Sequence, residues 1–290
     1  MSYHHRPFRS ILYIPGDKQR ALDKALTLDC DGIIFDLEDA VGIDSKAGAR
    51  ETLAAQLGAA DYGRRAVLVR VNGYGSEWHE ADLKAICAIG PEAILLPKVD
   101  SAADVERLSA VLDGYKNCAD TKIWAMMESP LGILNAQEIA AAPRMAGMVV
   151  GSNDLLKDLN AIHTPERTAL VASLGMCLLA ARAYGLVCID GVYNAFKDED
   201  GLSVECAQGQ VMGFDGKSLI HPAQLAVTNE VFSPSDADID LARRQVAAFE
   251  EAAASGKGIA VVDGKIVENL HIVTARKLLA MASVIVAAGS

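Results

Sequence analysis

Residues 122–141 read KIWAMMESPLGILNAQEIAA. The opening run, Lys122–Glu128, is apolar and stops on a carboxylate. A Ser, a Pro and a Gly follow within four residues, and a helical apolar pattern takes over. A short apolar run bounded by turn residues reads as a buried strand, and the longer pattern behind it as a helix. The same unit recurs along the chain. Ser10–Pro15 precedes DKQRALDKALTL, Gly32–Glu38 precedes SKAGARETLAAQL, Ala66–Asn72 precedes SEWHEADLKAICAI, and Ala93–Lys98 precedes SAADVERLSAVL. Gly147–Asp154 leads to a long helix near 165–184. Leu186–Gly191 is the seventh strand, and Lys217–His221, ahead of PAQLAVTNEVF, is the eighth.

Eight strand-then-helix units imply a parallel sheet. At this chain length they favour an α/β fold of the closed (β/α)8 TIM-barrel type over an open doubly wound sheet. No G-x-G-x-x-G follows any strand, which counts against a dinucleotide-binding sheet. The barrel is expected to occupy residues 1–232 as the catalytic domain. Residues 233–290 form a helical C-terminal extension: an Ala-rich helix around Asp236–Ala254, a Gly-flanked hairpin (GKGIAVVDGKIV) and a final helix from about Asn269. A barrel does not need this segment for closure, so it reads as a lid or as an arm contacting a neighbouring subunit.

Composition narrows the function classes. The net charge of −11 disfavours nucleic acid and anionic membrane as partners, since both need a basic surface. The tail LLAMASVIVAAGS reads as too short to span a bilayer and as packing on a core or partner instead. The six cysteines include no C-x-x-C pair and read as reduced, mostly buried thiols of a cytoplasmic protein. The N-terminal MSYHHRPFRS has no apolar signal core.

A (β/α)8 barrel builds its active site at the carboxyl ends of the strands. Those ends read Asp36-Leu37-Glu38-Asp39, Arg70-Val71-Asn72, Pro97-Lys98, Glu128-Ser129, Ser152-Asn153-Asp154, Asp190 and His221-Pro222. Several carboxylates at one mouth repel, and some must take up a proton unless a cation joins them. A hard divalent ion such as Mg²⁺ takes one or two carboxylates and keeps positions for water and substrate. Glu128 and Asp154 lie on adjacent strands and can share one ion, with Asp36 and Asp39 holding its waters. Each alone could equally be an ordinary helix cap. Arg70 can balance the acidic groups or grip a substrate carboxylate in a bidentate fork. Lys98 has the same choice. Arg20 and Lys24, four residues apart after the first strand, share a helix face, which suits a solvated surface or an anionic partner beside the mouth. His4 and His5 read as a loose tail, His79 and His163 as surface residues, and His221 as shaping the last loop. No Ser/His/Asp spacing, H-E-x-x-H or Walker motif is present.

The stretches RSILYIPGDKQRALDKAL, GIIFDLEDAV, VLVRVNG, ILLPKV, MMESPLGILNAQEI, GSNDL and GFDGKSLIHPAQL, in this order, resemble the citrate lyase β-subunit family. That family includes malyl-CoA, β-methylmalyl-CoA and citramalyl-CoA lyases within the wider HpcH/HpaI aldolase group. The resemblance implies a Mg²⁺-dependent (or Mn²⁺-dependent) carbon–carbon lyase that cleaves a 3-hydroxyacyl-CoA to acetyl-CoA and a 2-oxo acid. It implies Glu128 and Asp154 as metal ligands, Arg70 on the substrate, and Asp36 and Asp39 beside the metal. It further implies Tyr13, Arg20 and Lys24 as contacts to coenzyme A, and assembly as a homotrimer or homohexamer. In such lyases a C-terminal Asp from a neighbouring subunit completes the site, and here Glu268 stands at its place. One extra methylene moves a carboxylate by roughly 1 Å, which can cost about 10²-fold in rate, so Glu268 implies altered geometry or another reaction of the family. The alternatives are a metal-dependent aldolase on free hydroxy-oxo acids, a lyase-complex subunit with no activity of its own, and a thioesterase side activity.

Overall fold

A computed structural model of the chain describes residues 6–256 and 258–289; His4 and His5 lie outside the described residues. Eight strands close into a barrel in sequence order, every neighbouring pair parallel. The first half runs β1 (Ser10–Pro15), α1 (Gln19–Ala25), β2 (Gly32–Asp36), α2 (Lys46–Ala59), β3 (Ala66–Arg70), α3 (His79–Ile89), β4 (Ala93–Leu96) and α4 (Ala102–Asp113). The second half runs β5 (Lys122–Met127), α5 (Pro130–Leu134), α6 (Ala136–Ala141), β6 (Met145–Val150), α7 (Ser152–Asp158), α8 (Val171–Ala183), β7 (Val187–Asp190), α9 (Glu199–Met212), β8 (Gly216–Leu219) and α10 (Leu225–Val231). This is the TIM-barrel architecture. The chain divides between Phe232 and Ser233, with the barrel in the Phe8–Phe232 unit.

Successive strand side chains point to opposite faces, and this parity organises the core. Leu12, Ile33, Phe35, Val69, Ile94, Met148 and Cys188 pack in the layer between strands and helices. The alternate residues Ile11, Ile34, Leu68, Trp124 and Val149 fill the barrel lumen, all with no exposed surface. Gly147 belongs to the lumenal set because a Cβ there would overlap the Trp124 indole. Following the lumenal parity upward from Ile11, Ile34, Leu68 and Trp124 leads to Tyr13, Asp36, Arg70 and Glu128. The strands therefore deliver these four side chains to one mouth.

Several strands end earlier than their apolar runs. The β2 ladder stops at Asp36 because the Asp36 carboxylate itself accepts the N–H groups of Glu38 (2.9 Å) and Ala40 (2.9 Å), curling the chain. The sixth strand stops at Val150, so Ser152, Asn153 and Asp154 open α7 rather than close a strand. The long helix expected near 165–184 begins only at Val171. Before it, Arg167 takes a left-handed conformation (φ 49°) that breaks any helix.

Two sequence expectations are corrected. Asp190 shares the outward parity of Cys188, so it faces the helix layer and not the mouth. There it meets Arg167 (2.7 Å) and Lys217 (3.0 Å), while Lys217 also reaches Glu205 of α9 (2.7 Å). His79 is not a surface residue. It is buried, with Nδ1 2.6 Å from the Asn72 carbonyl.

The second unit carries α11 (Asp236–Ala254), a two-stranded antiparallel hairpin of β9 (Ala260–Val262) and β10 (Lys265–Val267), and α12 (Asn269–Gly289). Ala260, Val267 and Ile272 form its small core against Val246, Phe249 and Ala252 of α11. The expectation of a tail too short to span a bilayer needs correcting: within α12 the 19 residues Asn269–Ala287, with mean hydropathy 1.6, are long and apolar enough by length and composition. Arg276 and Lys277 nevertheless sit mid-helix, Arg276 pairs with Glu250 of α11 (2.9 Å), and Ile272 and Ala275 are buried. Charges at the centre of a span are expensive, and these contacts tie the helix to α11.

Candidate active site

Tyr13, Arg70, Glu128 and Asp154 line one cavity of about 300 Å³ at the carboxyl ends of the strands, with Val192 and Ile220 on its apolar side. Asp36 and Asp39 line it as well.

Glu128 is held by the local sequence around it. The E-S-P-L-G order places Ser129 as N-cap of α5, accepting from the Gly132 N–H (3.0 Å), with Pro130 at the first helical position. The chain therefore leaves β5 sharply, and the Glu128 side chain stays in the mouth. Lys98 adopts a left-handed backbone (φ 53°) and donates its N–H to Glu128 Oε1 (2.7 Å). Gly151 supports the other side, since a Cβ there would overlap Glu128. Burial, reinforced by the charges of Glu38 and Asp154, pushes the Glu128 carboxyl up to about 7, against the Lys98 amide and Arg70. Such a carboxylate gains greatly from a cation. Asp154, on the first turn of α7, offers a second carboxylate to the same cavity; its side chain is 33% exposed. Among the described residues no three His, Cys, Asp or Glu side chains form a metal cage. Two carboxylates facing one cavity fit Mg²⁺, which keeps its remaining positions for water and substrate.

Arg70 is buried and its fork is already engaged. Nε and Nη2 donate to Asp36 (2.7 and 2.6 Å), while Nη1 lies 3.1 Å from Glu38 and 3.4 Å from Asp39. Tyr13 lies under the guanidinium, 4.9 Å from ring centroid to Cζ. Burial alone would lower the Arg70 pKa, but the Asp36 hydrogen bonds and nearby negative charge raise it well above the usual value. Two expectations change here. The bidentate face of Arg70 serves Asp36, so a substrate can reach only the Nη1 edge, the edge shared with cavity-lining Asp39. The Asp36 oxygens accept from Arg70, Glu38 and Ala40, which fills a carboxylate's capacity of about four donors. Asp36 therefore orients Arg70, while the Asp39 side chain is 65% exposed.

The Lys98 ammonium stands 3.4 Å from Glu38 Oε1. Burial opposes its charge, but Glu38, Glu128, Asp39 and Asp154 outweigh that and raise its pKa. Its ammonium adds positive charge beside the carboxylates of the mouth. Arg20 and Lys24 on α1 are both exposed and outside the cavity. Glu268 is exposed in the second unit, its N–H donating to His271 Nδ1 (3.0 Å). His221 caps the turn after β8, accepting from the Ala223 N–H (3.1 Å). The sequence pattern gives Glu38 no role; the structure sets it between Arg70 and Lys98.

A family model described as HpcH/HpaI aldolase/citrate lyase matches residues 9–222. A Cereibacter sphaeroides protein named (3S)-malyl-CoA thioesterase is 60% identical over 287 residues, covering 99% of each chain. Citrate lyase subunit beta of Escherichia coli K12 is 36% identical over 283 residues, 96% of this chain and 94% of that one. The crystal structure of CitE from Mycobacterium tuberculosis in complex with magnesium, acetoacetate and coenzyme A superposes with a TM-score of 0.79. It is 30% identical and covers 96% of this chain and 99% of that one.

Proposed function

The chain belongs to the HpcH/HpaI aldolase/citrate lyase family, and from that premise we propose that it is a Mg²⁺-dependent hydrolase of a 3-hydroxy-dicarboxylyl-CoA thioester, with (3S)-malyl-CoA as the first candidate. The observation that carries this reading is the shared cavity of Glu128, Asp154 and Arg70 in a chain 60% identical to a protein named for that thioesterase activity.

In this reading Glu128 and Asp154 hold Mg²⁺. When bound, the ion supplies Lewis-acid polarisation and neutralises the crowded carboxylates. The Arg70 Nη1 edge exchanges its Asp39 partner for an oxygen of the substrate and stabilises negative charge that develops there. Tyr13 supports the guanidinium from below. Val192 and Ile220 exclude water from the apolar side of the acyl group. Hydrolysis adds water to the thioester carbonyl, breaks the C–S bond and releases malate and the CoA thiol. The base that takes the water proton is a carboxylate not otherwise committed. Asp36 is tied to Arg70 and Glu38 to Arg70 and Lys98, which leaves the cavity-lining and more exposed Asp39, or Glu268 of a neighbouring copy. Arg20 and Lys24 are proposed to meet the phosphates of coenzyme A.

A second reading is carbon–carbon cleavage of the same thioester to acetyl-CoA and glyoxylate. It uses the same ion and Arg70, and the 36% identity to a citrate lyase subunit favours it. A substrate panel of malyl-, citramalyl- and citryl-CoA, assayed with Mg²⁺ and with EDTA, separates the readings. Thiol release without the corresponding 2-oxo acid supports hydrolysis, and acetyl-CoA supports cleavage. Turnover that EDTA leaves untouched refutes both.

A further inference from the structure

Behind the mouth, outside the cavity, lies a lysine that the proposed chemistry does not use. Lys46, the first residue of α2, is only 6% exposed. Its ammonium makes three hydrogen bonds, to the carbonyls of Leu37 (2.8 Å) and Glu38 (2.7 Å) and to Asn72 Oδ1 (2.8 Å). That uses every donor an ammonium has, and none goes to a carboxylate. The Trp78 ring covers it, 5.2 Å from Nζ to the centroid.

We propose that Lys46 is a positioning residue for Arg70, acting by pinning the turn Leu37–Ala40 on which the Asp36 clamp depends. This rests on the assignment of Arg70 to the reacting site.

The turn is gripped from two sides. Asp36 holds it from within through the N–H groups of Glu38 and Ala40, and Lys46 holds it from without through the carbonyls of Leu37 and Glu38. Asp36 can present both oxygens to Arg70 only while those N–H groups remain in place. The anchor at the far end is itself rigid. Asn72 donates Nδ2 to Asp82 (2.6 Å) and to the Leu37 carbonyl (2.9 Å), and Arg50 pairs with Asp82 (2.9 Å). Removing the ammonium leaves two buried carbonyls without their donor or with a weaker set, and a buried unsatisfied group is costly enough to move a turn. The same turn carries Glu38 and Asp39, which flank Arg70 Nη1. A lysine that only stabilised the fold would affect melting alone. A positioning lysine affects the turn locally and the chemical step with it.

The test compares Lys46→Met and Lys46→Gln with the wild-type protein. Amide hydrogen exchange of residues 37–41, read by mass spectrometry, follows the turn whether or not the substrate assignment is right. Steady-state thiol release from (3S)-malyl-CoA with Mg²⁺ follows its consequence. We expect exchange in this segment to rise at least about tenfold with the other strand ends unchanged. We expect kcat to fall at least about tenfold and KM to move less than about threefold, as for misplacement of a group by a fraction of an ångström. If Lys46→Met does not fold, Lys46→Gln decides by the same two readouts. Exchange and kcat both within about twofold of wild type would overturn the proposal. So would faster exchange with unchanged kcat, or a rise spread evenly over the barrel. A wild-type protein that releases no thiol refutes the substrate reading instead, while the exchange result still judges the pinning of the turn.

Discussion

Glu128 should make the metal-free protein less stable as the pH rises, and Glu128→Gln should remove that dependence. Burial and its acidic neighbours raise the Glu128 carboxyl from the ordinary 4.5 to about 7. Between those values the folded state binds more protons than the unfolded state, so stability falls with rising pH. The contribution is intact below about pH 4.5 and fully lost above about pH 7. The rise corresponds to about 3 kcal/mol at roughly 1.4 kcal/mol per pH unit. Roughly 2 °C per kcal/mol for a chain of this size converts it to roughly 6 °C. The assay is thermal melting in EDTA from pH 5 to 8.5. Glu128→Gln keeps an oxygen for the Lys98 N–H but cannot ionise, and Glu38, also raised by burial, remains in both proteins. Because the scan starts at pH 5 and so samples about 2 of those pH units, the Tm advantage of the variant over wild type should grow by roughly 5 °C from pH 5 to pH 8.5. With Mg²⁺ present, the wild-type loss should largely disappear. A difference between the two proteins that is the same at every pH would refute the reasoning.

Other changes have separable outcomes. Arg70→Lys replaces a fork with a point charge and loses the double bond to Asp36, so kcat/KM should fall about 10²-fold with folding retained by circular dichroism. Gly151→Ala forces its Cβ onto Glu128, and should weaken Mg²⁺ affinity in calorimetric titration along with kcat. Arg20→Ala and Lys24→Ala should raise KM for the thioester about tenfold each while sparing kcat, as expected for lost charge-assisted contacts to phosphate. Lys217→Met leaves Asp190 and Glu205 short of a buried cation, and should cost about 3–5 kcal/mol in denaturant unfolding.

The barrel was legible because its apolar runs and turn residues repeat eight times, and the runs that end on polar groups point to the mouth. Glu128 and Arg70 followed from that pattern. What did not follow came from two physical causes. Asp190 closes a strand like the others, but its side chain has the outward parity, and counting alternate residues from Cys188 would have placed it in the helix layer. The β6 run reads on through Asp154, because nothing in GMVVGSND marks the strand-to-helix change except Gly151. That residue is set by the need to clear Glu128, one strand away. The engagement of Arg70 by Asp36 and the triple hydrogen bonding of Lys46 are tertiary contacts between groups 34 and 26 residues or fewer apart in sequence, with no local pattern to announce them. The burial of His79 is of the same kind, since its partner is a backbone carbonyl.

The central claim is that this mouth hydrolyses a malyl-type thioester and does not cleave its carbon chain. The most direct measurement is turnover of (3S)-malyl-CoA with Mg²⁺ in ¹⁸O-labelled water, with the acid products resolved by mass spectrometry. The account predicts malate carrying one ¹⁸O in the carboxylate that was the thioester, released together with free CoA. Acetyl-CoA and glyoxylate in place of labelled malate would contradict it.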